Sequence, residues 1–188
     1  MNTIIKSHIE TYEAKKSKFI AHLVPISEFE GLQERLRAEH PKANHVVYAL
    51  RYLNEFEQIV ENSSDDGEPK GSSAPPALNV LRGEEMINVA VLIVRYFGGT
   101  KLGIGGLVRA YGSAVKQVIA SSKVILYEKM LNFQFNTSYN EIQKIEYILN
   151  KLKITQIERI FLNDGVDWKI ESTEKKLKEF KEKRKCMR

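Results

Sequence analysis

One cysteine, one tryptophan and five prolines are all that the 188 residues hold of those types. No apolar run approaches the roughly 18 residues of a membrane-spanning helix, so no membrane partner is expected. Cys186, near the end among basic residues, leaves no intrachain disulfide and no cysteine-based metal cluster, and it reads as a surface thiol. The opening MNTIIKSHIE lacks both a long apolar stretch and a small-residue cleavage site, which makes the cytoplasm the expected location. Catalytic signatures are missing too. The four histidines, His8, His22, His40 and His45, are scattered, and neither an HExxH pair nor a Gly-x-Ser-x-Gly elbow occurs. His22 and His45 fall on expected strands, where a hydrogen-bonded structural histidine is the ordinary reading. Conventional catalysis therefore has little support, and neither a cofactor nor a metal is expected.

A composition of 43% hydrophobic and 28% charged residues is that of a soluble globular chain with one ordinary domain or two small ones. The net charge of +5 is unevenly spread: Met1 to Ser122 holds 14 Lys+Arg and 14 Asp+Glu, whereas the rest holds 15 and 10. Lys175 to Arg188 alone has eight Lys+Arg against Glu179 and Glu182. The basic character thus belongs to a tail. It is either a phosphate contact or a solvated helix end.

Six of the eleven glycines lie between Gly98 and Gly112, directly after the apolar run Val89–Val94. That run reads as a strand covered on both faces. After the glycine loop, Leu107, Val108, Tyr111, Ala114, Val115, Val118 and Ile119 recur at helical spacing, with Arg109, Gly112 and Lys116 on another stripe. Upstream, His8–Tyr12 and Lys18–Leu23 read as a hairpin around EAKKS. Ser27 is expected to cap a helix bearing Phe29, Leu32 and Leu36 that Pro41 ends, and His45–Arg51 is a strand. Residual strand character is expected near Gln58–Val60, and Pro75-Pro76 open a helix reaching Leu81. A second cycle follows Ser122: strands at Val124–Tyr127 and Leu131–Phe135, a helix at Glu141–Leu152, a hairpin over Ile154–Leu162 and Val166–Glu171, and a charged helix at Thr173–Lys185. The order βαββα lacks one strand of a split βαβ unit. The fold class is therefore α+β in two domains, residues 1–124 and 125–188.

Two segments carry candidate chemistry. In Ser63–Pro76, Asp65, Asp66 and Glu68 are three carboxylates within four residues, without the ligand spacing of an EF-hand. They form a solvated turn, a metal site, or a loop that organises Lys101, Arg95 or Arg51 across a cleft. In the glycine loop, Gly98 and Gly103 have the first Walker spacing, but Ile104-Gly105 stands where Lys-Ser/Thr is needed; the Rossmann pattern fails at Val108. What remains is a helix start at Gly105-Gly106 whose amides suit an anion, with Lys101, Arg95 and Arg109 nearby, or a tight crossing made possible by glycine.

The chain resembles the Impact/YigZ family over about its first 120 residues. The resemblance rests on Ser17-Lys18-Phe19-Ile20, on Tyr48–Arg51, on Asp65-Asp66-Gly67-Glu68-Pro69 with Gly71-Ser72-Ser73-Ala74-Pro75, and on Val94-Arg95-Tyr96-Phe97-Gly98-Gly99 with Lys101-Leu102-Gly103, Gly105-Gly106-Leu107 and Arg109-Ala110-Tyr111. It implies a first domain like domain IV of elongation factor G, a βαβ-containing two-layer sandwich. The second is implied to be ferredoxin-like, as in that factor's domain V, here without its closing strand. An incomplete sheet exposes an edge open to self-association. Eukaryotic relatives regulate translation, so the implied class is a translation-associated regulatory binding protein contacting RNA, the ribosome or a translation factor. The expected site comprises Lys18, Arg51, Asp65, Asp66, Glu68, Ser72, Ser73, Arg95, Tyr96, Phe97, Gly98, Gly99, Lys101, Gly105, Gly106 and Arg109, with base stacking in the Arg95/Tyr96/Phe97 cluster. The alternative is an enzyme or small-ligand protein whose acidic and glycine loops form one metal–phosphate pocket. A protein–protein adaptor is the third class.

Overall fold

A strand made of Val89–Val94 has no polar residue to turn toward water, so it belongs at the middle of a sheet. In the computed structural model, which describes residues 1–185, Val89–Tyr96 (β6) occupies that place. Cys186, and the surface thiol expected there, lies outside the described residues. The chain divides into two compact units, Met1–Tyr127 and the residues from Glu128 on.

The first unit contains, in order, β1 (Asn2–Ile4), β2 (His8–Ala14), β3 (Ser17–Pro25), α1 (Leu32–Glu39), β4 (His45–Leu53), β5 (Ile59–Ser64), α2 (Ala74–Gly83), β6, α3 (Ile104–Ser121) and β7 (Val124–Leu126). The five-stranded sheet has the order β2-β3-β6-β4-β5, and every neighbouring pair is antiparallel. Because β3 and β4 both oppose β6, they run parallel to each other, and α1 joins them in a split βαβ unit. The connection β5–α2–β6 repeats that pattern around β4. Alternation along the strands makes two cores. Phe19, Val47, Val91 and Ile93 meet Leu81, Tyr111 and Val115 of α2 and α3 on one face. Val46, Leu92 and Val94 meet Leu32 and Leu36 of α1 on the other.

Three elements depart from the sequence expectation. Ser27 caps nothing: it lies in a short 3-10 turn, Ile26–Glu28, and α1 starts only at Leu32, after Gly31 turns the chain at φ 70°. Strand β5 is longer than the residual signal at Gln58–Val60, since its polar residues sit at an edge with β4 as the only neighbour among the described residues. Val124–Leu126, expected to open the second cycle, pairs instead with Asn2–Ile4 in the first unit. In α3, Val108 is 38% exposed although it shares the apolar spacing.

The second unit keeps the βαββα order: β8 (Met130–Thr137), α4 (Ile142–Lys151), β9 (Gln156–Leu162), β10 (Gly165–Thr173) and α5 (Glu174–Lys185), with sheet order β8-β10-β9. Ser138 and Glu141 form a capping box ahead of α4. Trp168 stacks on Phe135 at 5.9 Å and donates Nε1–H to Thr137 Oγ1 at 2.8 Å. Among the described residues no strand pairs with the outer edge of β8. Lys181 and Arg184 of α5 lie over Phe133 and Phe135 there, and Arg184 donates to the Asn136 carbonyl at 2.8 Å. No helix among the described residues is long and apolar enough to cross a membrane.

His22, on the α1 side of β3, has Nε2 buried without a partner. Burial, then the positive charge of nearby His40, hold its pKa below the ordinary histidine value, with Glu39 opposing. The folded state therefore binds this proton less readily than the unfolded chain. Its stability is full above about pH 6.5 and falls as the pH drops below that value. Replacing His22 with glutamine should flatten the loss of denaturant stability between pH 7 and 5; an unchanged pH slope would assign that loss to other groups.

Candidate functional site

Three neighbouring carboxylates cannot share one small volume while charged, and the loop after β5 separates them. Asp65 turns under the start of α2. Its Oδ1 accepts from Ser73 Oγ at 2.5 Å and from the amides of Ala74 at 2.8 Å and Ser73 at 3.2 Å; Oδ2 accepts from the Gly71 amide at 2.7 Å. Burial alone would raise its pKa, but the Ser73 hydroxyl and these amides outweigh it and hold the carboxyl below the usual range. Asp65 thus caps α2 from a distance, and Pro75-Pro76 follow at positions that need no amide partner. Ser72 donates to the Pro69 carbonyl at 2.6 Å. Asp66 turns the other way, accepting from the Val46 amide at 2.6 Å and pairing with Arg37.

Glu68 enters the core. Its side chain is 2% exposed, and Oε1 accepts from Arg95 Nη1 at 2.5 Å and from the Tyr111 hydroxyl at 2.6 Å. Burial first, then the bond to Glu68, pushes the Tyr111 phenol far above its ordinary value, so it remains a donor. Phe19 closes the group, with Arg95 over its ring at 5.5 Å and the Tyr111 ring edge-on at 5.0 Å. The acidic loop, β6 and α3 are therefore tied at one buried point.

The glycine loop turns back from that point. A Cβ on Gly98 would stand 2.0 to 2.3 Å from backbone atoms of Lys16 and Ser17, so this glycine is a close crossing. Gly99 follows at φ 84°, and Gly103 at φ 73° delivers the chain into α3. Between loop and core lies a cleft of about 400 Å³, lined by Asn44, His45, Glu68, Pro69, Arg95, Phe97, Leu107 and Lys101–Ile104. His45 donates Nδ1–H to the Asp66 carbonyl at 2.7 Å, which leaves Nε2 3.9 Å from Glu68 Oε2. The Asn44 side chain accepts from the Phe97 amide at 2.8 Å.

Of the expected site residues, the cleft gathers Glu68, Arg95, Phe97 and Lys101. Gly105, Gly106 and Arg109 stand on the first turns of α3, outside the residues that line the cleft. Others are elsewhere. Arg51 does not pair with the acidic loop: it binds Glu61 at 3.0 Å and the Met86 carbonyl at 2.8 Å, toward the opposite end of β4. Lys18 is exposed and lies opposite Tyr96. Tyr96 faces the α1 side, where its hydroxyl meets His40 Nδ1 at 2.8 Å, so Arg95 and Tyr96 do not form one cluster. Among the described residues no group of three His, Cys, Asp or Glu is placed to hold a metal ion. Asn44, His45 and Tyr111 also belong to the site; the sequence places His45 on a strand and Tyr111 on an apolar helix face, and it gives Asn44 no role.

The model of the Impact N-terminal domain matches residues 15–119, which hold every element of the cleft. The chain belongs to the Impact family. It is 34% identical over 144 residues to the IMPACT family member YigZ of Escherichia coli, covering 74% of this chain and 70% of that protein. A crystal structure of a hypothetical protein superposes with a TM-score of 0.63 at 28% identity, covering 95% of this chain and 88% of its own. A looser likeness, TM-score 0.38 at 24% identity over 61% of this chain and 45% of the other, is to the two-domain translational regulator Yih1.

Removing one member of a buried ion pair leaves an uncompensated charge, which costs about 3–5 kcal/mol. Glu68→Ala, stranding Arg95, should lower unfolding stability in that range and release the Tyr111 hydroxyl. Chemical denaturation followed through the folded baseline measures it; a loss below 1 kcal/mol would mean that the pair is not buried in solution.

Proposed function

We propose that this protein is a translation-associated regulatory binding protein of the cytoplasm that takes single-stranded RNA at the cleft beside the glycine loop. Membership of the Impact family supports the translation class. The geometry supports RNA through one arrangement: Phe97 is 45% exposed and lines the cleft together with Lys101, while exposed Arg109 stands on the first turns of α3, and neither cation has an ion-pair partner among the described residues. Stacking on an aromatic ring beside unpaired cations is the usual way to hold a single strand without reading its sequence. Arg95 sits behind Phe97, its guanidinium 5.9 Å from that ring, and stiffens the platform.

The second unit has its own exposed ring beside a cation, Tyr147 on α4 at 65% exposure with Lys151 Nζ 5.8 Å from its centre, but it lies outside the residues that the family model matches, and the open sheet face has none. Along β10, Asp167, Lys169 and Glu171 alternate with buried Val166, Trp168 and Ile170, and opposite them on β8 stand Asn136, Gln134 and Asn132. That face carries acids, amides and Lys169, which pairs with Glu158 at 3.2 Å, and no aromatic ring. The alternative, a metal–phosphate pocket, has Glu68 in the cleft in its favour, but Asp65 and Asp66 are engaged with helix amides and with Arg37.

Anisotropy of a labelled single-stranded RNA, measured over a salt series, tests the reading. The double variant Lys101→Ala/Arg109→Ala should weaken binding about tenfold or more. It should also flatten the log–log salt slope by roughly 1 to 1.5, as expected for two lost phosphate contacts on a single strand. Unchanged affinity and slope would remove the cleft from the function.

A further inference from the structure

The outer strand of a sheet carries free amides and carbonyls that template another strand unless something covers or repels it. Among the described residues the two larger sheets end in β2, β5, β8 and β9, and the first three of these edges are blunted. Helix α3 reaches over β2, where Gln117 donates to the Thr11 carbonyl at 3.1 Å. Strand β5 is polar from Glu61 to Ser64. At β8 the cations of α5 lie over the rings, and Arg184 satisfies the Asn136 carbonyl.

Strand β9 has none of these protections. It ends in Ile160, Phe161 and Leu162, which are 63%, 63% and 38% exposed. Its charges are engaged within the unit and do not guard the edge: Arg159 pairs with Glu146 and lies 5.1 Å from the centre of the Trp168 ring, and Glu158 pairs with Lys169 at 3.2 Å. The direction of the free backbone follows from the hairpin. Asn163-Asp164 is a two-residue turn, and the residues that close such a turn, Leu162 and Gly165, exchange their hydrogen bonds. Alternation then turns the amides and carbonyls of Leu162, Ile160 and Glu158 to β10 and those of Phe161, Arg159 and Ile157 outward. Side chains alternate as well. Ile157 packs into the core, so Arg159 and Phe161 share its helix side, while Glu158, Ile160 and Leu162 share the open face.

A second copy of β9 fits this edge in one register. Two antiparallel strands related by a two-fold axis keep each face continuous, so the axis passes through a residue that meets its own equivalent. At Glu158 or Arg159 the axis would set like charges opposite each other. At Phe161 the ladder would run into the turn after a single further pair. At Ile160 the two isoleucines meet at a non-hydrogen-bonded position, where side chains approach most closely, Arg159 faces the Phe161 ring of the other copy, and Glu158 faces its Leu162. That register alone covers all three exposed apolar residues without opposing like charges.

We propose that β9 is a self-association edge: two copies of the chain pair antiparallel about Ile160 and join their three-stranded sheets edge to edge. The contact is one strand wide and falls below about 1,200 Å², the class of reversible, micromolar association. It involves residues of the second unit only and is independent of the RNA reading of the cleft.

Sedimentation equilibrium of the full-length protein over a concentration series should show a monomer–dimer equilibrium. Ile160→Lys sets two charges against each other on the axis and should weaken association at least about tenfold. Ile5→Lys, at an exposed apolar position of the first unit, should leave it unchanged. Both isoleucines already face solvent, so circular dichroism of the two variants should superpose on that of the parent chain. The register has its own test in a Cys186→Ser background. A non-hydrogen-bonded pair stands about 4.5 Å apart between Cα atoms, within the span of a disulfide, so Ile160→Cys should give a covalent dimer on mild oxidation. Glu158→Cys and Leu162→Cys should crosslink when mixed and not singly. A chain that stays monomeric throughout the series overturns the proposal. A dimer that resists Ile160→Lys overturns it too and moves the contact to another edge, and a dimer that Ile160→Cys fails to crosslink overturns the pairing about Ile160.

Discussion

A guanidinium buried on the central strand of a sheet must have a counter-charge, and the pair of Arg95 with Glu68 meets that demand. Arg95 ends the apolar stretch of β6, enclosed by Phe19 and Tyr111, where water cannot solvate it. The acidic loop must then fold over this end of the sheet to deliver Glu68, and α3 must pack close enough for Tyr111 to reach the same oxygen. Three segments distant in sequence thereby have one permitted arrangement. A buried pair of this kind adds little net stability compared with an apolar replacement. Its effect here is positional: it sets the distance between acidic loop and glycine loop, and the cleft is the space left between them.

The same constraint changes what the acidic loop does electrostatically. Asp65, Asp66 and Glu68 look in sequence like a concentration of negative charge facing any phosphate. In the fold each is consumed: Asp65 by the amides that start α2, Asp66 by Arg37 and the Val46 amide, Glu68 by Arg95 and Tyr111. What the cleft then presents to solvent is set by Lys101, Phe97 and the uncapped start of α3. A first unit with balanced formal charge can therefore carry a local positive footprint, because the three acids nearest the cleft are spent inward and Lys101 is not.

The parts of the fold legible in the sequence are those where burial leaves a periodic trace. Val89–Val94 announces a central strand because both of its faces are covered, and the βαββα order of the second unit follows from clean helical and alternating patterns. Edge elements leave no such trace: β5 is mostly polar, and the pairing of Asn2–Ile4 with Val124–Leu126 is a three-residue contact between segments about 120 positions apart. The candidate site divides along the same line. Its motifs stand where the residues announced them, but their roles depend on which way adjacent side chains project. Arg95 and Tyr96 are neighbours in the chain and face opposite sides of the sheet; Arg51 finds Glu61 across the β4–β5 ladder, a partner that pairing register decides. His45 carried no signal beyond its strand, since its importance comes from the Asp66 carbonyl that fixes its tautomer.

The basic tail illustrates why net charge is a poor guide to the binding face. All of the formal excess lies in Lys175–Arg188, yet within the described part of that stretch several cations already have work inside the second unit. Lys176 donates to the Lys153 carbonyl at 3.1 Å, Lys183 pairs with Glu179 one turn away at 3.5 Å, and Lys181 and Arg184 lie over Phe133 and Phe135. Those last two do for the outer edge of β8 part of what a further strand would do, shielding its aromatic rings and, through Arg184, satisfying the Asn136 carbonyl. Charge engaged in this way is only partly available for counterion exchange with a phosphate backbone. The two cations beside the start of α3 have no such engagement, and a unit with balanced charge is for that reason the better candidate for the specific contact.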